Sequence, residues 1–307
     1  MNLLVGGTGF VGGHLVEYLY QQGEISKGIF RKGSHLKIMD TCGVQGIESE
    51  LTDHHNLHEA MEGVDAVYNL ASPMPGSDTD FLPPNTEGLL SLLEAAAESK
   101  AKSFVHLSTL DVYGFGRKEV GPSTPFNPAN DYQRSKAEAE RLLREFSKRN
   151  PLPRVTIIRS AKAVGSRDNT LVVPVLRMMR AGKVVLPSAG TMSFTHPRDI
   201  AQAMFKAATG NISNGKEILL KSFDSTPEEL GRGIVAEAGG GALVRRQGLL
   251  SGSALPKYTS EQLRASLSIS AQGDWKELGY EPAFTLKRAC EEIANWYKKE
   301  PWVAGEE

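Results

Sequence analysis

Tyr132 and Lys136 stand four residues apart in segment 130–149, whose apolar and charged residues follow helical spacing. That separation places both side chains on one face of a helix. A phenol has an ordinary pKa of about 10, and lowering it by three units with a nearby ammonium takes about 4 kcal/mol of differential interaction. Thr109, at the predicted end of strand 103–108, offers a hydroxyl to the same reacting oxygen. These three residues predict a site for proton transfer.

A second motif, GGTGFVG at 6–12, joins a short apolar strand to a helix. Gly6 permits a tight turn, Gly9 lets a pyrophosphate approach the backbone, and Gly12 lets the helix pack close to the strand. The unpaired N–H groups at the start of the helix then face the phosphates. The motif predicts a dinucleotide-binding turn.

The choice between cofactors depends on the end of the second strand, near Phe30. An acidic residue there would bind the adenosine ribose hydroxyls and favour NAD. This chain has Arg31 and Lys32 instead, which can hold a 2′-phosphate. We therefore predict NADP as the cofactor, with NAD as the alternative.

Composition narrows the class of protein. The chain has 307 residues, of which 40% are hydrophobic and 23% charged, which excludes a disordered chain. The net charge of -1 gives no electrostatic footprint for nucleic acid or a membrane surface, and no apolar run is long enough to span a bilayer. With two cysteines and a first strand predicted from Asn2, we expect a soluble cytoplasmic protein without a signal peptide.

The partner expected from these features is a small-molecule substrate, and a homodimer is kept open. His54, His55 and His58 are interpreted as a solvent-facing group, because structural zinc sites normally use four protein ligands. No metal site is predicted.

The elements that must position these residues alternate between strands and helices through the first half of the chain. Strands that are apolar on both faces and separated by helices predict an α/β fold, a Rossmann-type doubly wound parallel sheet. The expected division is a dinucleotide-binding domain over 1–165 and a small C-terminal substrate-binding lobe, mainly 166–307, with some segments returning to the sheet.

Taken together, several segments of the chain resemble the extended short-chain dehydrogenase/reductase family, in its NAD-dependent epimerase/dehydratase-like branch. The resemblance runs almost end to end. The segments that carry it are 6–12, 69–72 (NLAS), 85–88 (NTEG), 108–114 (STLDVYG), 132–136 (YQRSK), 159–165, 194–201 (FTHPRDIA) and 278–282 (LGYEP).

The resemblance implies roles for particular residues. Tyr132 would be the general acid/base, Lys136 would bind the nicotinamide ribose and lower the Tyr132 pKa, and Thr109 would orient the substrate. The residues implied to bind the cofactor are Gly6, Thr8, Gly9, Phe10, Val11, Gly12, Arg31, Lys32, Glu50, Leu51, Leu70, Ala71, Ser72, Asn85, Tyr132 and Lys136.

Two departures from the family pattern bear on the substrate. Sugar dehydratases follow the threonine with an Asp-Glu pair, where this chain has Leu110 and Asp111. Nucleotide-sugar enzymes tend to carry a diphosphate-gripping arginine where this chain has Met192. The function predicted is an NAD(P)-dependent oxidoreductase acting on a small carbonyl or alcohol. The alternatives are an NAD-dependent nucleotide-sugar epimerase/dehydratase and a non-catalytic dinucleotide sensor.

Overall fold

The structure, a computed structural model, describes residues 1–73, 82–187, 189–246, 254–270, 274–300 and 303. Its strands are β1 (Asn2–Val5), β2 (Ser26–Phe30), β3 (Gln45–Glu48), β4 (Ala66–Asn69), β5 (Ser103–Thr109), β6 (Arg154–Ser160), β7 (Lys162–Ala163), β8 (Lys183–Leu186), β9 (Met192–Thr195), β10 (Lys216–Leu220), β11 (Phe223–Ser225) and β12 (Leu243–Arg246).

Its helices are α1 (Phe10–Gln21), α2 (Lys37–Thr41), α3 (His54–Met61), α4 (Leu82–Asn85), α5 (Glu87–Glu98), α6 (Asp131–Arg149), α7 (Val172–Arg180), α8 (Pro197–Thr209), α9 (Pro227–Glu237), α10 (Lys257–Ala265) and α11 (Leu286–Lys299). Two 3₁₀ turns cover Leu110–Tyr113 and Asp274–Leu278.

Seven strands form one parallel sheet in the order β10-β6-β5-β4-β1-β2-β3. Successive residues of β1 point to opposite faces: Leu3 packs in the core beneath α3, α5 and α6, and Leu4 packs in the core beneath α1 and α8. Helices therefore cover both faces. The Rossmann-type doubly wound fold predicted from the alternation is confirmed.

The second half of the chain builds a lobe from α7, α9, α11 and two small sheets, β11-β9-β7 and β12-β8, around its own apolar core. Two of its segments return to the large sheet. β10 pairs with β6 at the sheet edge, and α8 packs against α1. The division of the chain into domains 1–165 and 166–307 stays a prediction.

Among the described residues, no helix is both long enough and apolar enough to cross a membrane.

Candidate functional site

The first turn of α6 presents two of the residues predicted to be catalytic. The Asn130 side chain caps the helix by accepting the N–H of Gln133 at 2.9 Å. This cap fixes where the helix begins, so Tyr132 lies in its first turn and Lys136 lies one turn further along. Lys136 is 3% exposed, whereas Tyr132 is half-buried.

Thr109, the last residue of β5, lies beside Tyr132. Its hydroxyl oxygen accepts the N–H of Asp111 at 3.1 Å, and the hydroxyl is hydrogen-bonded to the Tyr132 phenol and to the Asp111 carboxylate. Because Thr109 has a single hydroxyl proton, it can donate to only one of these two oxygens at a time. The structure thus brings Thr109 and Tyr132 together as expected, and adds Asp111 to them.

Burial and the Asp111 carboxylate dominate the environment of the Tyr132 phenol. Burial raises the pKa of Tyr132 above its ordinary value, the Asp111 carboxylate raises it further, and the hydrogen bond with Thr109 opposes both. The expected lowering of this pKa by Lys136 stays a prediction. In this structure Tyr132 is therefore a protonated phenol.

Lys136 donates to the carbonyl oxygen of Leu107 at 2.8 Å and lies 3.2 Å from Nε2 of His106. The other ring nitrogen of His106, Nδ1, lies 3.2 Å from the side-chain amide of Asn69, at the end of β4. His106 is 1% exposed. In the sequence, a histidine in the middle of an apolar strand is the signal that could have identified His106 as a site residue.

Helix α10 adds side chains that sequence reasoning missed. Tyr258 donates to the Asp111 carboxylate at 2.6 Å, and the Gln262 amide contacts both of its oxygens at 2.9 and 3.1 Å. The ring of Tyr258 meets that of Tyr132 edge to face, with centroids 5.5 Å apart, and that of Phe115 at 5.6 Å. Asp111 is 3% exposed, so burial raises its pKa and these donors oppose the rise. A buried carboxylate with fixed donors therefore joins α10 to the residues predicted to be catalytic.

A cavity of about 330 Å³ lies at the carboxyl ends of β1, β2, β3 and β4. Of the residues implied to bind cofactor, those lining this cavity are Gly6, Thr8, Gly9, Arg31, Glu50, Leu51, Leu70, Ala71 and Ser72. Those outside its lining are Phe10, Val11, Gly12, Lys32, Asn85, Tyr132 and Lys136.

The glycine turn has the shape that a bound pyrophosphate requires. Gly6 has φ +88°, which side chains with a Cβ rarely adopt, and a Cβ on Gly12 would lie 2.0 Å from the carbonyl oxygen of Gly6. The turn and the start of α1 therefore leave an open backbone cradle beside the cavity. The residues present fit a dinucleotide.

Asn85 acts as a structural link, at the end of α4. It is buried and donates to the Ser135 hydroxyl of α6 at 3.0 Å. This bond joins the segment after β4 to the helix that carries Tyr132 and Lys136.

In the described part of the chain, no group of three or more His, Cys, Asp or Glu side chains is arranged to hold a metal ion. His58 instead pairs with Glu98 at 3.0 Å on the surface.

Comparison with known proteins places this geometry in a family. Residues 2–219 match the model of the NAD dependent epimerase/dehydratase family. The chain is 29% identical to N-acetyl-alpha-D-glucosaminyl-diphospho-ditrans,octacis-undecaprenol 4-epimerase of Escherichia coli O157:H7, over 70% of this chain and 65% of that protein. It is 27% identical to 2-alkyl-3-oxoalkanoate reductase of Shewanella oneidensis, over 60% of this chain and 50% of that protein. The match thus spans about half to two thirds of each of these two relatives.

Among solved structures, UDP-glucose 4-epimerase with UDP-glucose from Thermotoga maritima is similar, with a TM-score of 0.81 and 19% identity over 98% of this chain and 100% of that one. This likeness supports the fold. The family match covers more than two thirds of the sequence, so the chain belongs to the NAD dependent epimerase/dehydratase family of enzymes.

Proposed function

We propose that this chain is an NADP(H)-preferring oxidoreductase that moves hydride to or from an uncharged small carbonyl or alcohol. The observation that carries the proposal is the hydrogen-bonded pair Thr109–Tyr132 at the end of β5, with Lys136 one turn along α6. The dinucleotide cavity lies at the end of β4, the strand next to β5. Open α/β sheets place ligands at this edge.

The residues of this chain supply the proton chemistry. A bound nicotinamide dinucleotide supplies the hydride that reaches the carbonyl carbon. Tyr132 gives its O–H proton to the carbonyl oxygen, which leaves an alcohol and a phenolate that solvent reprotonates. Thr109 positions the substrate oxygen beside the phenol. The raised pKa of Tyr132 keeps the phenol protonated, which suits reduction.

The surroundings of Tyr132 support an uncharged substrate. The ring of Tyr258 provides apolar surface next to the phenol, and the ring of Phe115 packs against Tyr258 in turn. The Asp111 carboxylate repels a negative substituent close to the reacting carbon.

Elimination of water has little support at this site. Leu110, where dehydratases are expected to have an acid, is 2% exposed and packs in an apolar cluster with Val112 and Ala161. The neighbouring carboxylate of Asp111 is already engaged by Tyr258 and Gln262. Met192, where a diphosphate-gripping arginine was expected, is buried in the core of the lobe.

The relatives support both leading alternatives. The Shewanella reductase favours redox turnover, and the Escherichia coli epimerase favours a nucleotide sugar. Steady-state assays with NADPH against a panel of simple ketones, and with UDP- and dTDP-sugars, distinguish them. We expect NADPH consumption with ketones. Turnover of a nucleotide sugar without net redox change would make the epimerase the better assignment.

Tyr132→Phe tests the assigned mechanism. Loss of the transferable proton should lower kcat by about 10²–10⁴-fold while cofactor binding persists. Tyr20→Phe is the matched control, because Tyr20 is 60% exposed on α1 and should leave the rate unchanged. Near-normal turnover by Tyr132→Phe would refute the mechanism.

The preference for NADP rests on Arg31, which lines the cavity directly after β2 and is exposed. A charge-assisted hydrogen bond to phosphate contributes about 1.5–3 kcal/mol, so Arg31→Ala should weaken NADP(H) by about 10–150-fold and leave NAD(H) unaffected. Arg149→Ala, at the far end of α6, is the control. Equal or tighter NAD(H) binding by the unaltered protein would contradict this preference.

A further inference from the structure

Lys162 lies at the same edge of the sheet as the residues predicted to be catalytic. In the register of the parallel sheet Thr109, at the end of β5, pairs with Ser160, at the end of β6, so their side chains share one face. The chain continues through Ala161, whose N–H still bonds to the neighbouring strand β10. Two residues after Ser160, and about 7 Å further along the extended chain, the side chain of Lys162 returns to that face. The face is the one on which Thr109 meets Tyr132.

The attraction between Lys162 and Asp111 agrees with this placement. Burial raises the pKa of the Asp111 carboxyl, the hydrogen bonds from Tyr258 and Gln262 lower it, and the positive charge of Lys162 lowers it further. Both carboxylate oxygens of Asp111 are held by Tyr258 and Gln262. Lys162 therefore acts on the site through its charge, while its N–H groups are not engaged by this carboxylate.

The ammonium of Lys162, which is half-buried, has few partners of its own. Within the part of the chain that the structure describes, it donates only to the Thr170 hydroxyl oxygen, at a long 3.4 Å, and no carboxylate pairs with it. The Thr170 hydroxyl gives its own proton to Asp168 Oδ1 at 2.6 Å, so its oxygen can accept from Lys162. An ammonium has three donors. Two of them are therefore available to an oxygen of a bound molecule.

The two charges beside the site together favour a neutral acceptor. Asp111 repels an anionic group that is brought close to it, and Lys162 repels a cationic one. A carbonyl or ester oxygen carries only a partial negative charge, so it can accept from the ammonium of Lys162 without strong repulsion by Asp111. A hydrogen bond with a charged donor is also stronger than one between neutral groups.

We propose that Lys162 binds a second oxygen of the substrate, so that this chain prefers carbonyl compounds with a further carbonyl or ester oxygen over simple ketones. The inference rests on the proposed function and narrows its substrate class. Thr109 and Tyr132 hold the oxygen that is reduced, and Lys162 holds the other one. Two fixed points orient the substrate better than one. Lys162 is thus a specificity-determining residue and takes no part in the proton transfer.

Consumption of NADPH with matched pairs of compounds measures this preference. Ethyl pyruvate, ethyl acetoacetate and ethyl levulinate place the ester at increasing separation from the ketone, and hexan-2-one, heptan-2-one and octan-2-one have the same chain lengths without it. For at least one pair we expect the keto ester to exceed the ketone in kcat/KM by about 10–150-fold, the effect of one charge-assisted hydrogen bond, with a lower KM. Equal kcat/KM within all three pairs would overturn the proposal.

Lys162→Met removes the ammonium and keeps an unbranched side chain. The ratio of kcat/KM for keto ester and ketone should fall to about a tenth or less of its value in the unaltered protein. The greater reactivity of a keto ester cancels from this comparison, because it is the same for every variant. Lys183→Met, exposed at the start of β8, is the control and should retain the full ratio. If Lys162→Met does not fold, Lys162→Gln gives the same comparison with an uncharged side chain.

The ratio also separates binding of a second oxygen from a structural role. A structural role for Lys162 would lower kcat/KM for ketones and keto esters alike, and an unchanged ratio in Lys162→Met would therefore refute the proposal. Turnover of ketones without any preference for keto esters would refute it as well and leave the proposed function standing. Absence of NADPH consumption with every ketone and keto ester would instead count against the proposed function, and the inference would fail with it.

Discussion

Replacing Glu140 or Arg159 alone should strongly destabilise the fold, and replacing both should not. The two side chains are 0% and 1% exposed, and their charges meet beneath the end of β5. Glu140 also accepts the Ser108 hydroxyl at 2.6 Å, and Arg159 donates to the Tyr113 hydroxyl at 2.9 Å. Removing one partner leaves a buried charge without its counter-ion, which costs about 3–5 kcal/mol.

The surrounding charges refine the magnitude for each variant. In Glu140→Leu, Arg159 keeps Glu217 as a counter-ion. The loss of unfolding free energy should therefore lie near the lower end of the range for a broken buried pair, about 3–5 kcal/mol. In Arg159→Met, the carboxylates of Glu140 and Glu217 share Arg144 as their counter-ion, so the loss of unfolding free energy should lie near the upper end of that range. In the double variant Glu217 and Arg144 keep each other, and each loses only a second partner at a partly exposed side chain. The hydroxyls of Ser108 and Tyr113 lose their buried partners at about 1 kcal/mol each, so the double variant should fall within about 2 kcal/mol of the unaltered protein.

Equilibrium urea unfolding of the three variants measures these free energies. The control is the exposed pair Glu138→Leu and Arg141→Met, which bridges at 2.6 Å on the surface of α6 and should leave the urea midpoint nearly unchanged. If the double variant loses the sum of the two single losses, the charges do not compensate each other and the reasoning is refuted.

Three further outcomes are expected. Gly12→Ala should abolish dinucleotide binding and lower the melting temperature, because its Cβ would lie 2.0 Å from the Gly6 carbonyl oxygen; calorimetric affinity within threefold of the unaltered protein would contradict this. Tyr258→Phe should destabilise the fold by about 1.5–3 kcal/mol in urea unfolding, because the Asp111 carboxylate loses its 2.6 Å donor; an unchanged unfolding midpoint would show that bond to be dispensable. Burial, helped by Arg167, lowers the pKa of His14 to about 3, so the unfolded chain binds a proton that the folded chain does not. The unfolding free energy should therefore fall by up to about 4 kcal/mol as the pH drops from about 6.5 to about 3. Unfolding curves across that range should be flatter for His14→Phe, and equal slopes would exclude His14 as the cause.

The elements of the sheet could be predicted because their signals are local. β5 spans Ser103–Thr109 and α6 spans Asp131–Arg149, close to the strand 103–108 and the helical segment 130–149 that the sequence indicated. Thr109 and Tyr132 meet because the end of a parallel strand and the start of the following helix lie at the same edge of the sheet.

Helix α10 could not be predicted in the same way. Its nine residues KYTSEQLRA give no clear apolar stripe, and two of the side chains that hold it, Tyr258 and Gln262, are polar. Their partner, Asp111, lies almost 150 residues earlier in the chain. The strand β12 was missed for a related reason: Arg245 and Arg246 suggest a solvated pair, but pairing with β8 places both in a strand.

The state of charge at the site depends on contacts that the spacing of residues in the sequence does not show. Spacing indicates that Tyr132 and Lys136 share a helix face, but not what else reaches them. Asp111 and His106 decide the outcome: the carboxylate raises the pKa of the phenol, and the imidazole occupies the amine. Both lie on or just after β5, in a segment whose sequence indicates only an apolar strand followed by a turn.

Asp111 and Lys136 have opposite effects on the charge of Tyr132. Asp111 favours the protonated phenol before the reaction, and a charged Lys136 would favour the phenolate that remains after the proton has left. In this structure the amino group of Lys136 lies against the Leu107 carbonyl and His106, so burial and Asp111 dominate and the phenol stays protonated. Contacts made by β5 and the turn after it, and not the Tyr-Lys spacing alone, therefore set the state of charge of Tyr132.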